Sequence, residues 1–430
     1  MNDQLDVYIN FQKVGKLWST PQNRLCFKYD NEWLDNPDNC QLSISLPLRK
    51  DPYLDDSCYA YFSNLLPEGK VLETLSQRLR ISITDKFGLL RAIGGDCAGA
   101  ISFYPEGEMP PDPSGYSYES LTEEHLLKKN IYLKNDPFLA VEEKRLSLAG
   151  AMDKLPVCVK DGRILLPVNG VPTTHIIKFP VDELRGVVTN ETYCMMLAKN
   201  MGLDVPNVEM IKINDTPVYV IERYDRKIQN GQVLRLVQED FCQALGKNSE
   251  QKYDVSYQEC FKVIWKECAF PIADSKKLIN NIIFNGLIGN SDGHAKNISL
   301  IQDAGGIRLA PFYDLVSTHV FERNFTKKMP IKIAGEKRDF RYIQTHHINA
   351  LAEEIGVKAS VITNSIIEMA GKIIAVSEIT VDEFKAKYKS VDMIDQINDL
   401  IRNYAPAILQ TLSGGASFND IEHNSSGPGM

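Results

Sequence analysis

Gly289-Asn290-Ser291-Asp292-Gly293-His294-Ala295-Lys296-Asn297 places a dense run of polar residues between two apolar stretches. Before it, Leu278, Ile279, Ile282, Ile283 and Leu287 recur at helical spacing and predict an amphipathic helix. After it, Ile298-Ser299-Leu300-Ile301 and Ile307-Arg308-Leu309-Ala310 flank Asp303-Ala304-Gly305-Gly306, which predicts a hairpin with a four-residue loop. If Gln302 faces Ile307, counting back along the pair puts Asn297 near Phe312, with Asp314 just beyond. Cross-strand neighbours lie ~5 Å apart, so Asn297 and Asp314 would meet at the open end of the hairpin, beside the Asp292 loop.

Two carboxylates and an amide oxygen suit Mg²⁺, which takes hard oxygen ligands and completes its shell with phosphates. Protein kinases use the same order: a base for the acceptor hydroxyl proton, an Asn on metal five residues later, and a metal Asp after a hairpin. The segment upstream agrees. Val157–Lys160, the turn pair Asp161-Gly162 and Arg163–Leu166 predict a tight hairpin. His175–Phe179 predicts a strand carrying Lys178, followed by a helix from about Asn190 to Met201, capped by Thr189 or Asn190 and carrying Glu191. Strands at Val208–Ile213 and Val218–Ile221 lead to Glu222 and Tyr224, where a kinase hinge reads adenine. In this order Lys178 neutralises nucleotide phosphates and Glu191 holds Lys178.

The 430 residues are 43% hydrophobic and 24% charged, enough for more than one core, which excludes wholesale disorder. With 48 basic and 56 acidic residues the net charge is −8, which excludes nucleic-acid binding over the whole surface. Nine cysteines form no C-x-x-C pair and several sit in apolar runs, pointing to reduced thiols and a cytoplasmic setting. No run of 18 apolar residues occurs, so no membrane partner is expected.

The expected fold class is α+β, a kinase-like bilobal core preceded by a small α+β domain and ending in a mainly helical lobe. The divisions are 1–105 for the small domain, with strands at Leu5–Ile9, Val14–Trp18, Leu25–Tyr29 and Leu42–Leu46, and 106–145 for a Pro-, Gly- and acid-rich connection. Residues 146–225 form the N-lobe-like part, 226–412 the helical catalytic lobe, and 413–430 a disordered tail. Helices are expected at Tyr59–Leu66, Val71–Leu79, around Ile348–Ile355, Val361–Ile374 and Glu383–Tyr404.

Four stretches carry a family resemblance: Ser147-Leu148-Ala149-Gly150-Ala151, Thr173-Thr174-His175-Ile176-Ile177-Lys178, Asp292–Asn297 and Pro311-Phe312-Tyr313-Asp314. Together with Leu42–Leu48 and Asn64-Leu65-Leu66-Pro67, they resemble the motifs of HipA-type serine/threonine kinases, the toxin halves of bacterial toxin–antitoxin pairs. The resemblance implies ATP and Mg²⁺ as cofactors, Asp292 as catalytic base, Asn297 and Asp314 on the metal, and Lys178 on the phosphates, with His294 close to them. It also implies a nucleotide-covering loop of Leu148, Ala149, Gly150, Ala151, Met152 and Lys154, with Ser147 as the site of autophosphorylation. Its implied partners are a HipB-type helix-turn-helix antitoxin, operator DNA through that complex, and an aminoacyl-tRNA synthetase as substrate, glutamyl-tRNA synthetase in the type member. A bacterial cytoplasm, at the nucleoid when in complex, is the implied location.

Two rival functions fit the same residues: a catalytically weak ATP-binding co-repressor scaffold, and a metal phosphohydrolase. The full Asp292, Asn297 and Asp314 set argues against the first, and the lack of further His or Asp ligands beyond His294 argues against the second. One basic run, Glu322–Arg341, carries a net +4. Its Lys327, Lys328, Lys332, Lys337, Arg338 and Arg341 form either a solvated face or a contact with the DNA backbone. His346-His347 lacks a nearby Cys or acid and reads as structural.

Overall fold

The computed structural model describes residues 4–120, 154–168, 170–181, 184–213, 216–229, 232–321, 325–388 and 393–413. Ser147, the loop residues Leu148–Met152 and the tail beyond 413 lie outside the described residues. Within them, an antiparallel sheet of β1 (Gln4–Ile9), β2 (Gln12–Ser19), β3 (Leu25–Tyr29) and β4 (Ile101–Pro105), ordered β3-β2-β1-β4, packs against helices Asp56–Ser63, Gly69–Leu79 and Lys86–Ile93. Its core holds Leu5, Val7, Phe27, Phe62, Leu90 and Phe103.

Leu42–Leu46 is not the fourth strand that its alternation suggests; it is a turn closed by a Ser43–Leu46 bridge. The buried Glu239 carboxylate explains the difference. It takes the Ser43 hydroxyl and the Ile44 N–H (3.0 Å), so this segment pairs with the second domain instead of the sheet. The fourth position falls to β4.

A second sheet of six strands follows: β5 (Tyr118–Ser120), β6 (Lys154–Lys160), β7 (Arg163–Pro167), β8 (His175–Lys178), β9 (Val208–Ile213) and β10 (Thr216–Glu222), ordered β5-β7-β6-β8-β10-β9. The β6–β7 turn has the expected two residues, Asp161 and Gly162, both at positive φ (51° and 72°), as a right-twisted hairpin requires. β5 pairs with β7, so the connection expected over 106–145 contributes a strand to this sheet. The helix carrying Glu191 runs Val187–Asn200 and starts from Gly186 in the left-handed region. Thr189 and Asn190 are therefore buried in its first turn rather than capping it.

The remainder is mainly helical. Helices Tyr257–Glu267, Pro271–Leu287, Thr345–Ile355, Ala359–Tyr388 and Ile394–Leu412 enclose the largest core. Glu383–Tyr404 is thus divided between the last two helices instead of forming one. Ala359–Tyr388 is long and apolar enough to cross a membrane by length and composition, although polar residues interrupt it throughout. It packs Ile362, Ile366, Met369, Ile373 and Phe384 into that core. Two small sheets interrupt the helices: β11 (Arg226–Gln229) with β12 (Gln232–Arg235), and β13 (Val237–Asp240) with β14 (Ser299–Asp303) and β15 (Gly306–Leu309). Gln302 faces Ile307 as expected, but Asp303 and Gly306 also pair, so the loop is two residues.

The three parts meet around Asp96, which is fully buried. Its carboxylate contacts Arg226 (2.9 Å), Arg235 (3.0 Å) and Arg223 (3.4 Å), and accepts the Thr173 hydroxyl (2.7 Å). Asp225 adds contacts to Arg223 (2.7 Å) and Arg226 (2.9 Å) and accepts the Gly99 N–H (2.7 Å). Removing one side of a buried ion cluster leaves charges with neither water nor partner. Asp96→Ala is expected to lose ~3–5 kcal/mol in urea unfolding. Lys372→Ala, which breaks an exposed pair with Glu368, should cost less than ~0.5 kcal/mol.

Candidate active site

The helix Pro271–Leu287 delivers the polar loop to the end of a cavity of about 250 Å³. Gly289 turns the chain at φ +65°, and a Cβ there would lie 2.7 Å from the His319 ring, so the position needs glycine. Asn290 stabilises the turn: its amide donates to Asn285 Oδ1 (2.8 Å) and its Oδ1 accepts the Asp292 N–H (2.9 Å). The Ser291 N–H donates to the Thr318 hydroxyl (2.8 Å), which ties the loop to the chain beyond Asp314.

Asp292, His294, Asn297, Asp314, Lys178, Lys154, Glu191, Glu222 and Tyr224 all line this one cavity. The Asn297 amide nitrogen donates to the Asp292 carbonyl (3.0 Å), which leaves its Oδ1 as the group to hold a cation. Asp314 sits at φ 55°, a strained backbone of the kind that clusters at functional sites. Lys178, at the end of β8, donates to Glu191 Oε1 (2.6 Å) and also to Asp314. Burial alone would strip its proton, but Asp314 and Glu191 outweigh burial and hold it charged. Asp314 in turn stays ionised: burial opposes this, and Lys178 and Lys154 overcome it.

Among the described residues, no group of three or more His, Cys, Asp or Glu side chains could hold a metal unaided. Asn297 and Asp314 offer two hard oxygens, which fits a Mg²⁺ ion that draws its remaining ligands from phosphates and water. Lys178 and Lys154 supply the positive charge that such phosphates need. Deeper in the cavity, Ile176, Val187, Ile221 and Ala98 form an apolar wall suited to a base, closed by Tyr224 stacked on Tyr313 (5.6 Å, 22°). The Glu222 side chain faces outward and accepts from Asn207 (2.8 Å).

Several site residues carry no signal in the sequence. The Tyr253 hydroxyl donates to Asp292 Oδ1 (2.5 Å), and its ring stands edge-on to His294 (5.0 Å). Lys296, inside the catalytic loop, reaches Glu68 (2.7 Å) and Asn64 Oδ1 (2.8 Å) of the N-terminal domain. Glu68 also pairs with Lys252 (3.0 Å). Asn64 belongs to a motif visible in the sequence, but no spacing rule connects residue 68 with residue 296.

The basic run divides between paired arginines and exposed lysines. Arg341 is bound to Asp339 (2.5 Å), and Arg338 to Glu336 (3.4 Å) and the Ile333 carbonyl (3.1 Å). These two arginines are engaged within the chain. Lys327, Lys328 and Lys332 are exposed, and Lys337 lies over the Tyr253 ring (5.0 Å).

The HipA N-terminal domain family matches residues 5–104 and the HipA-like C-terminal domain family matches residues 146–377. Y4mE of Sinorhizobium fredii, named as a candidate kinase, is 36% identical over 88% of this chain and 93% of its own. The serine/threonine-protein kinase toxin HipA of Shewanella oneidensis is 28% identical over 86% of this chain and 87% of its own. A solved Shewanella oneidensis complex of HipA, HipB and operator DNA superposes with a TM-score of 0.78 at 25% identity, covering 96% of this chain and 98% of that one.

Burial pushes the His294 imidazole down to about 4, although Asp292 pulls the other way. A histidine with a depressed folded pKa binds fewer protons folded than unfolded, so stability is lost as pH falls from about 6.5 towards 4. At ~1.4 kcal/mol per pH unit the loss reaches about 3 kcal/mol. His294→Gln should flatten the stability profile in this window, read by urea titrations between pH 4.5 and 7.

Proposed function

The chain belongs to the HipA family of serine/threonine kinases, and on that premise we propose that it is an ATP- and Mg²⁺-dependent toxin of a bacterial toxin–antitoxin pair. The observation that carries the reading is the convergence of Asp292, Asn297, Asp314 and the Glu191-held Lys178 on one cavity with an apolar inner wall. Asp292 accepts the proton of the acceptor hydroxyl as the oxygen attacks the γ-phosphorus in line. Lys178 and Lys154 bind phosphate oxygens, and the apolar wall with Tyr224 holds the base. Asn297 and Asp314 would hold Mg²⁺, which would supply positive charge to neutralise the transferring phosphoryl group.

Tyr253 is a positioning residue. It occupies Asp292 Oδ1, and among the described residues nothing hydrogen-bonds Oδ2, which is left for the acceptor. Regulation follows the family: phosphorylation of Ser147 adds roughly −1.5 to −2 charge beside the nucleotide phosphates and expels the covering loop. A HipB-type antitoxin restrains the kinase and the pair represses its own operon on operator DNA, a reading supported by the similarity to the Shewanella complex. The acceptor we propose is an aminoacyl-tRNA synthetase, glutamyl-tRNA synthetase first, in the bacterial cytoplasm.

Labelled ATP with Mg²⁺, followed by mass-spectrometric mapping, tests the core of this reading. Phosphate should appear on Ser147 of the wild type and fall on the order of a thousandfold in rate with Asp292→Ala. ATP binding without transfer would favour a scaffold, and free phosphate with no labelled protein a phosphohydrolase. Tyr253→Phe is expected to lower kcat roughly tenfold while the KM for ATP stays unchanged. A rise in kcat would mean that the phenol competes with the acceptor instead of orienting the base.

A further inference from the structure

We propose that Glu68 of the N-terminal domain is a positioning residue for phosphoryl transfer, fixing the base Asp292 through Lys296 and Lys252. The inference rests on the kinase reading above and extends the machinery of that site into the N-terminal domain. Glu68 lines the same cavity as Asp292, and its carboxylate is divided between two segments. Oε1 takes the ammonium of Lys296 (2.7 Å) in the catalytic loop, and Oε2 takes that of Lys252 (3.0 Å). These are the two segments that hold Asp292. Lys252 precedes Tyr253, whose hydroxyl donates to Asp292 Oδ1 (2.5 Å), and the Lys252 carbonyl accepts the Ala295 N–H (3.2 Å). Lys296 sits between the base and the metal-binding amide, directly before Asn297.

The orientation of Glu68 is the second support. It stands at the N-cap of the helix Gly69–Leu79, yet its side chain makes no bond to that helix and crosses the domain boundary instead. Burial works against its charge, and Lys296 and Lys252 outweigh burial, holding the carboxyl below its usual range.

Lys296 supplies the third. It is buried, and Asn64 Oδ1 (2.8 Å) and Asp240 (3.9 Å) complete the surroundings of its ammonium. That ammonium is therefore engaged in holding the loop and not on nucleotide phosphates. The Tyr313 hydroxyl donates to its carbonyl (2.8 Å), so Lys296 is pinned at both ends. A catalytic group displaced by about 1 Å can lose on the order of a hundredfold in rate. A clamp on both supports of the base thus acts on rate more than on stability.

The test incubates the dephosphorylated chain with labelled ATP and Mg²⁺. It reads phosphate incorporation into the protein at saturating ATP, and the KM for ATP, in the wild type, Glu68→Gln, Tyr253→Phe and the double variant. Asn10→Gly is the control, because Asn10 joins the same domain to the Arg235 backbone by two hydrogen bonds (both 3.0 Å) and neither residue lines the cavity. Glu68→Gln should lower the saturated rate roughly tenfold with the KM for ATP unchanged. The double variant should fall no further than the larger single effect, since both changes act on Asp292. Asn10→Gly should keep the wild-type rate. Hydrogen exchange of the peptide 289–298 reads the clamp without catalysis, and should quicken in Glu68→Gln and not in Asn10→Gly. Glu68→Gln leaves Asn64 and Asp240 on Lys296; should it still fail to fold, Lys252→Met opens one arm only and carries the same measurements. A wild-type rate in Glu68→Gln, additivity with Tyr253→Phe, or an equal loss in Asn10→Gly overturns the proposal. So does a raised KM for ATP at an unchanged rate, which would make Glu68 a nucleotide-binding residue. No phosphate transfer by the wild type would overturn the kinase reading instead. Quickened exchange in Glu68→Gln would then leave the clamp standing, and unchanged exchange would overturn that too.

Discussion

Asp96 and Asp225 sit with Arg223, Arg226 and Arg235 in a place that water does not reach. Burying five charges is costly, and the cost is met only when every partner is present in good geometry. The partners come from different parts of the chain. Asp96 belongs to the N-terminal domain, Thr173 precedes β8, and the arginines follow β10 or end β12. The N-terminal domain is therefore locked against the hinge of the kinase core and is no loose appendage. Tyr224 stands between Arg223 and Asp225, so the cluster that joins the domains also fixes the wall of the base-binding pocket.

The catalytic loop shows the same dependence at its other end. Lys296 is buried between Glu68 and Asn64, and the Tyr313 hydroxyl donates to its carbonyl (2.8 Å). Asn190, one residue before Glu191, exchanges two hydrogen bonds with the backbone of Ser317 (both 2.9 Å). The helix that holds Lys178 and the segment that carries Asp314 consequently move as one. A low-dielectric setting strengthens each of these contacts and penalises any that is left open.

Wherever one period or one turn decides an element, the sequence was legible. Asp161-Gly162 between apolar runs fixed a hairpin, and the spacing from Leu278 to Leu287 fixed the helix that presents Asp292. The order of Lys178, Glu191, Asp292, Asn297 and Asp314 then implied a common cavity, and the structure brings all five to it. Failures fall where a long-range partner overrides a local pattern. Leu42–Leu46 alternates like a strand, yet Glu239, almost two hundred residues away, holds it as a turn. Within the lobe expected to be helical, Asp240 caps Phe241–Ala244 and also ends β13, a strand that no sequence pattern announced. Tyr253, Glu68 and Lys252 sit in unremarkable local sequence, and only the packing of three parts around one cavity gives them a place.

The basic run shows why counting charge along a chain differs from locating it. By composition Glu322–Arg341 is a patch of net +4, and any anion is a candidate partner. In three dimensions Arg338 and Arg341, whose planar forks suit carboxylates best, have already found Glu336 and Asp339. The lysines are left, and the fold sets them on the lip of the catalytic cleft. An ammonium is a strongly hydrated point charge that attracts without fixing geometry.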